Sequence, residues 1–176
     1  MNACEFGAPM KKTLLSSVIA ALAAIMPSDG LCLDLPTGKV VLTIRGVGLK
    51  SANVGDTAQF DMTMLESLAG RTAEVRTPWF KGVSIFSGPY LRSVLEAAGA
   101  TGTMLRISAI NDYSSDIPVE DSEMDVIIAT RLEGKPMSVR DKGPMILIYP
   151  FDLDADLYRE KYFSRSVWQI DEIEVR

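Results

Sequence analysis

The side chains best equipped for chemistry fall in four short clusters. They are Thr-Pro-Trp-Phe-Lys-Gly at 77–82, Asn-Asp-Tyr at 111–113, Val-Arg-Asp-Lys-Gly-Pro at 139–144 and Tyr-Phe-Ser-Arg-Ser-Val-Trp-Gln at 162–169. Trp79 and Phe80 follow a strand-breaking proline and offer a flat stacking platform for an aromatic ligand. Asn111, Asp112 and Tyr113 set an amide, a carboxylate and a phenol side by side. Arg140 and Lys142 are suited to an anionic or carbonyl group, and Gly143 beside them lets a backbone approach closely. Ser164, Arg165 and Trp168 add hydroxyl, cation and ring. Each cluster also has a plainer reading: core aromatics, an Asx turn that needs only one of its three residues, a charged β-turn, and a filler tryptophan in the last strand.

What the chain lacks narrows the chemistry further. It has no histidine, and its two cysteines are Cys4 and Cys32. Lys11 and Lys12 precede the apolar run Thr13–Met26, the pattern of a secretory signal; the run is shorter than the roughly 20 residues a membrane span needs. Residues 1–32 therefore read as an N-terminal extension and cleaved signal, with Met10 a possible start. Residues 33–176 read as one periplasmic domain with no membrane span after cleavage. That domain has no disulfide framework, no ordinary zinc, copper, haem or iron–sulfur site, and no Ser-His or Cys-His catalysis. A net charge of −5 without a basic patch argues against a nucleic-acid partner.

The elements that must position these clusters are short. Lys39–Val47 reads as a strand, and "TAQFD" as a second. Asp61 reads as the N-cap of a helix with Met64, Leu65 and Leu68 on one face and Gly70 as its stop. "RTAEVRT" is a strand halted at Pro78, and "VSIFS" is another. Gly88-Pro89 opens a second helix, with proline in its first turn, a stripe of Tyr90, Leu91, Val94, Leu95 and Ala98, and Gly99 as its end. "MLRISAI", "DVIIATRLEG", "MILIYP" and "SVWQIDEIEVR" complete the strands. Strands do not alternate regularly with helices, so the class is α+β, with a mixed, largely β core and a few short helices.

The order of the motifs carries a resemblance that no single motif does. "FSGPYLRSVLEAAGA", "SAINDYSSDIP", "VRDKGPMILIYP" and "SVWQIDEIEV" together resemble the molybdopterin-binding fold of the sulfite oxidase family, over roughly Lys39 to Arg176. The likeness is greatest to small exported bacterial proteins that carry this fold as a free-standing domain. In catalytic members a cysteine thiolate ligates molybdenum, in the loop after the strand corresponding to "AEVRT". Here that loop is "TPWFKG", and neither Trp79 nor Phe80 can replace a thiolate.

The resemblance thus implies a pterin ligand, with molybdopterin as the alternative. Asp112 and Asn111 would hydrogen-bond the ring, Arg140 or Lys142 would donate to its carbonyl or a side-chain oxygen, and Trp79, Phe80 or Tyr113 would cover its face; Ser164, Arg165 and Trp168 complete the candidate site. It implies a non-catalytic sensor acting on the periplasmic domain of a membrane-bound cyclic-di-GMP enzyme, a diguanylate cyclase or phosphodiesterase. Two alternatives stand beside it: an oxidoreductase subunit holding the full metal cofactor through its dithiolene alone, and a structural or assembly protein with an empty pterin-like cavity.

Overall fold

A computed structural model describes residues 33–176. The expected signal segment and both cysteines lie outside the described residues. β1 (Val40–Gly46), β2 (Ala58–Asp61) and α1 (Met62–Ser67) are followed by β3 (Gly70–Arg76), β4 (Val83–Pro89) and α2 (Leu91–Ala98). β5 (Met104–Ala109), β6 (Ser114–Pro118), β7 (Ile127–Ala129), β8 (Arg131–Leu132), β9 (Lys135–Pro136) and β10 (Ile146–Ile148) come next. The chain closes with α3 (Glu160–Arg165) and β11 (Ile170–Val175). Three 3-10 turns, Val119–Met124, Val139–Asp141 and Ala155–Leu157, join these elements.

A five-stranded sheet runs β2-β1-β11-β5-β6. Only the β1–β11 pairing is parallel; its other pairings are antiparallel. Alternation sets its two faces. In β5, Leu105, Ile107 and Ala109 point inward and are buried, while the residues between them are only partly covered. The outer face carries a ladder of charges: Arg45 on Glu172 (3.0 Å) and Glu174 (3.1 Å), and Arg106 on Asp116 (2.9 Å). Exposed pairs of this kind add little stability, about 0–1 kcal/mol each. They mark the face as a solvated one. The inner face buries Leu42, Ile44, Leu105, Ile107, Ile117 and Ile173 against Leu91, Val94, Leu95 and Ala98 of α2.

A four-stranded antiparallel sheet, β3-β4-β8-β9, encloses a second core. The β7–β10 ribbon lies between the two cores. Ile128 and Leu147 face the larger core, whereas Ile127, Ala129, Ile146 and Ile148 face the smaller. This explains the unbroken apolar runs in "DVIIAT" and "MILIYP": a ribbon buried on both faces has no polar side to alternate with.

The α+β expectation, with its largely β core, holds. Asp61 caps α1, its carboxylate accepting from Met64 N–H (2.9 Å). The same carboxylate also accepts from the N–H groups of Thr37 (2.9 Å) and Gly38 (2.8 Å), pinning the leading segment. These backbone donors, Met64 first, hold the Asp61 carboxyl below the usual carboxylate range.

Four local expectations are corrected. α1 ends at Ser67 and is capped by Leu68, whose backbone is extended, and Gly70 begins β3 instead of stopping the helix. Pro89 closes β4 rather than opening α2, whose N-cap is Tyr90; Gly88 lies so close to the Ile128 carbonyl that a Cβ there would collide. "DVIIATRLEG" divides into β7 and β8, and β8–β9 turns through Glu133 and Gly134, both left-handed. "SSDIP", read as loop, is strand β6 paired with β5, and the segment before the last strand holds α3, a third helix.

Candidate functional site

A cleft of about 580 Å3 opens where four chain segments converge. β3 ends at Arg76, and the turn that begins at Pro78 places Trp79 on one wall. The β5–β6 turn contributes Asn111 and Tyr113. α3 and its C-terminal cap supply Glu160, Phe163, Ser164 and Ser166. Trp168 and Gln169, just ahead of β11, close the lining.

The apolar part is built from rings. Trp79 meets Trp168 edge-on at 5.5 Å between centroids and Phe163 edge-on at 5.9 Å. Phe163 is backed by Tyr158 at 4.8 Å and Phe151 at 5.6 Å, so the wall is supported in depth. Trp79, Phe163 and Trp168 are each half-buried. Rings held by their edges keep part of their faces available, the geometry a stacking ligand needs.

The polar groups divide into those used for construction and those left over. The Tyr113 phenol donates to the Ser164 carbonyl (2.8 Å), tying the β5–β6 turn to α3. Asn111 Oδ1 accepts from Tyr113 N–H (3.2 Å), closing an Asx turn. The Ser164 and Ser166 hydroxyls donate to the carbonyls of Lys161 (2.9 Å) and Tyr162 (2.8 Å). The Asn111 amide N–H groups and the exposed Glu160 carboxylate have no partner among the described residues. The cleft therefore offers aromatic faces, an amide donor and a carboxylate acceptor. Its lining contains no arginine or lysine.

Trp79, Asn111, Tyr113, Ser164 and Trp168 are the expected site residues that line the cleft. Lys142 is not part of the lining but touches it, its ammonium 3.8 Å from the centre of the Trp168 ring and 5.9 Å from that of Phe80. The others are not brought into the lining. Phe80 packs edge-on against Phe86 at 5.6 Å, at the smaller core. Asp112 sits in a left-handed turn, where its N–H donates to the Ala109 carbonyl (3.0 Å), and its side chain is outside the lining. Arg140 is exposed in a 3-10 turn.

Arg165 faces away from the cleft. It pairs with the buried Asp121 at 2.6 Å, and the Tyr149 phenol donates to the same carboxylate oxygen at 2.7 Å. Burial above all, and then the Asp121 carboxylate, push the Tyr149 phenol well above its ordinary pKa. Arg165 thereby anchors α3, whose other residues form the cleft wall. Sequence reasoning missed Pro78, Glu160, Phe163, Ser166 and Gln169 as lining. All but Glu160 lay inside quoted clusters; Glu160 carried no local signal.

A second hollow of about 510 Å3 lies over the smaller sheet, among Glu66, Arg71, Thr72, Thr130 and Arg131. Its charges engage one another or their neighbours. Arg131 makes two bonds to Glu66, both 2.9 Å, with the Thr130 hydroxyl at 3.1 Å. Arg71 grips Asp152 with two bonds of 2.7 Å. The hydrogen bond from Arg131 holds the Glu66 carboxyl below its usual range. Among the described residues, no group of His, Cys, Asp or Glu is arranged to hold a metal ion, and no helix is long and apolar enough to cross a membrane.

Residues 46–175 match the family described as the oxidoreductase molybdopterin binding domain. Among solved structures, the sulfane dehydrogenase SoxCD from Paracoccus pantotrophus is similar, with a TM-score of 0.54 and 16% sequence identity over 76% of this chain and 37% of that one. At that identity the likeness is one of fold, and it bears out the sulfite oxidase-type expectation. The match spans little more than a third of that protein's length. No curated protein matches the sequence.

Proposed function

Since this chain belongs to the oxidoreductase molybdopterin-binding domain family, we propose that its aromatic cleft holds the flat ring of a pterin, and that the protein is an exported, non-catalytic pterin receptor. The observation that carries the reading is the cleft itself: Trp79, Phe163 and Trp168 surround a space of about 580 Å3 beside an uncommitted amide and carboxylate. A bound pterin supplies two flat faces and an amino-amide edge next to a carbonyl. Trp79 and Trp168 stand nearly perpendicular to one another, so one of them covers a face of the ring and the other meets its edge. Glu160 accepts from the amino edge and Asn111 donates to the carbonyl. Ring contact plus two or three such bonds is compatible with micromolar affinity, about −8 kcal/mol.

The donor set fits the ring better than the rest of the family's cofactor. Residues 33–176 contain neither cysteine nor histidine. The Thr77 hydroxyl, at the head of the loop where catalytic members carry the thiolate, is buried without a hydrogen-bond partner. A neutral hydroxyl is a poor ligand for a soft, thiolate-bound metal. With no cation in the lining, the phosphate of molybdopterin also lacks the charge-assisted partners it is usually given. We therefore assign no step to the metal.

Export is supported by the lysine pair and apolar run of residues 11–26. Relay to the periplasmic domain of a membrane-bound diguanylate cyclase or phosphodiesterase is supported by the resemblance to small exported relatives alone. The family match itself favours a second reading, an oxidoreductase subunit that binds the complete metal cofactor through its dithiolene.

Two measurements separate the readings. Titration with oxidised and reduced pterins, followed by tryptophan fluorescence and melting temperature, should give saturable binding. Metal analysis of protein purified from the periplasm should give no stoichiometric molybdenum. Stoichiometric molybdenum would establish the second reading, and absence of both responses to every pterin would leave the cleft a structural or assembly feature.

A further inference from the structure

Gln169 joins two of the chain segments beside the cleft, the β5–β6 turn and the turn at 138–142. Its carbonyl accepts from Ile110 N–H (3.0 Å), next to the β5–β6 turn. Its own N–H donates to the Lys142 carbonyl (3.1 Å), and its side-chain Nε2 donates to the Val139 carbonyl (2.7 Å). It follows Trp168, whose ring carries the Lys142 ammonium at 3.8 Å, and it lines the cleft. Its backbone is left-handed, with φ of 55°. Residues other than glycine take that conformation rarely and keep it only where their surroundings over-determine it.

Glycine or asparagine would occupy this backbone more easily. The presence of glutamine is therefore explained by what its side chain does. The bond to Val139 fixes which way the amide points: nitrogen toward the 138–142 turn, oxygen away from it. Oε1 has no partner among the described residues. A carboxylate in the same place could not donate to the Val139 carbonyl.

We propose that Gln169 is the positioning residue of the cleft. Its amide clamps the Val139–Lys142 turn to the base of β11 and, so oriented, presents Oε1 as a fixed acceptor for a ring N–H of the ligand. This rests on the pterin reading above and adds a specificity element to it. A ligand bearing a donor on that edge is favoured over an analogue that leaves the amide oxygen unpaired.

The test uses the full exported protein with Gln169→Gly, Gln169→Glu and Gln169→Asn, titrated with biopterin and tetrahydrobiopterin. Gln169→Gly relieves the backbone while removing the clamp. It should keep or raise the melting temperature and weaken pterin binding by about tenfold, the scale of one lost hydrogen bond. Gln169→Glu should bind as poorly, and amide exchange at residues 139–143 should accelerate in both variants. Gln169→Asn, too short to reach, should behave like the glycine variant. Retained affinity in Gln169→Gly overturns the proposal. So does a parallel fall of affinity and melting temperature in all three variants, which would make the role one of stability alone. If the wild-type protein binds neither pterin, the pterin reading fails by itself. The amide exchange then decides the clamp: faster exchange at 139–143 with unchanged melting temperature keeps it, and unchanged exchange removes it.

Discussion

The two hollows are of similar size and opposite character. The aromatic cleft, about 580 Å3, is walled by Trp79, Phe163 and Trp168 and keeps its Glu160 carboxylate and part of its Asn111 amide uncommitted. The polar hollow, about 510 Å3, has more charge, yet Glu66, Arg71 and Arg131 are all engaged in two-bond pairs. A ligand entering the first displaces water from ring faces and finds unpaired groups. A ligand entering the second must break ion pairs before it gains any contact. Concavity alone therefore does not identify the site; the unspent groups do.

Their supports differ as well. The polar hollow is held by Arg131–Glu66, with side chains 38% and 28% exposed, and by Arg71–Asp152, with side chains 13% and 18% exposed. The aromatic cleft is held from behind by Arg165 and Tyr149 converging on Asp121, whose side chain is 6% exposed. Buried charges cost much when unpaired and exposed ones cost little. The comparison can be broken most severely at that inner anchor. Asp121→Ala strands the Arg165 guanidinium and the Tyr149 hydroxyl, and should remove about 3–5 kcal/mol of stability, read from urea unfolding. A loss under about 1 kcal/mol would mean that α3 is held by something else.

Trp79→Ala comes next. It should weaken pterin binding by about 1–3 kcal/mol, read by calorimetry, the range for a base stacked on an aromatic side chain. Since Trp79 also touches Trp168 and Phe163, some loss of melting temperature is expected. Complete unfolding would show that the ring serves the fold before it serves a ligand.

The pH dependence has a sign at each end. The Tyr149 phenol is raised in the folded protein, so the unfolded chain releases its proton first. Stability should therefore fall as pH rises past about 10, the ordinary tyrosine value. The carboxyls of Asp61 and Glu66 are lowered in the folded state. Their contributions are complete above the ordinary carboxylate range and should fade as pH falls below roughly 4, where the unfolded chain binds the protons more readily. Urea midpoints across pH check both limbs. A flat alkaline limb would contradict the burial of Tyr149.

The smallest effects belong to the polar hollow and the rim. Glu66→Gln should change stability by less than about 1 kcal/mol and leave pterin affinity unaltered. Asp112→Asn should be silent in binding, because asparagine tolerates the same left-handed backbone and the side chain lies outside the lining. A clear loss of affinity in Asp112→Asn would move the site toward the turn and away from the tryptophans.

Local signals in the sequence suffice where one residue settles the matter. Asp61 capped the helix it preceded, Gly99 ended α2 in a left-handed backbone, and the apolar runs became buried strands. What local signals do not settle depends on distant partners. Pro89 looks like a helix opener, but β4 extends through it because Arg71 and Gly70 continue the pairing. Asp112 stood out for its neighbours, yet the turn directs Asn111 and Tyr113 into the cleft and leaves the carboxylate outside. Arg165 looked like a ligand-binding cation because Asp121, 44 positions earlier, gives no local sign that it is buried beneath it. Glu160 joins the site only because α3 forms, and that helix has no strong start or stop in its sequence.

The central claim is that the tryptophan-walled cleft, and not the polar hollow, receives a pterin ring. It is tested most directly by soaking or co-crystallising the protein with tetrahydrobiopterin and determining where the ring lies. The account predicts one ring in contact with Trp79 and Trp168, its amino edge toward Glu160. A ring bound beside Arg71 and Arg131 would contradict it.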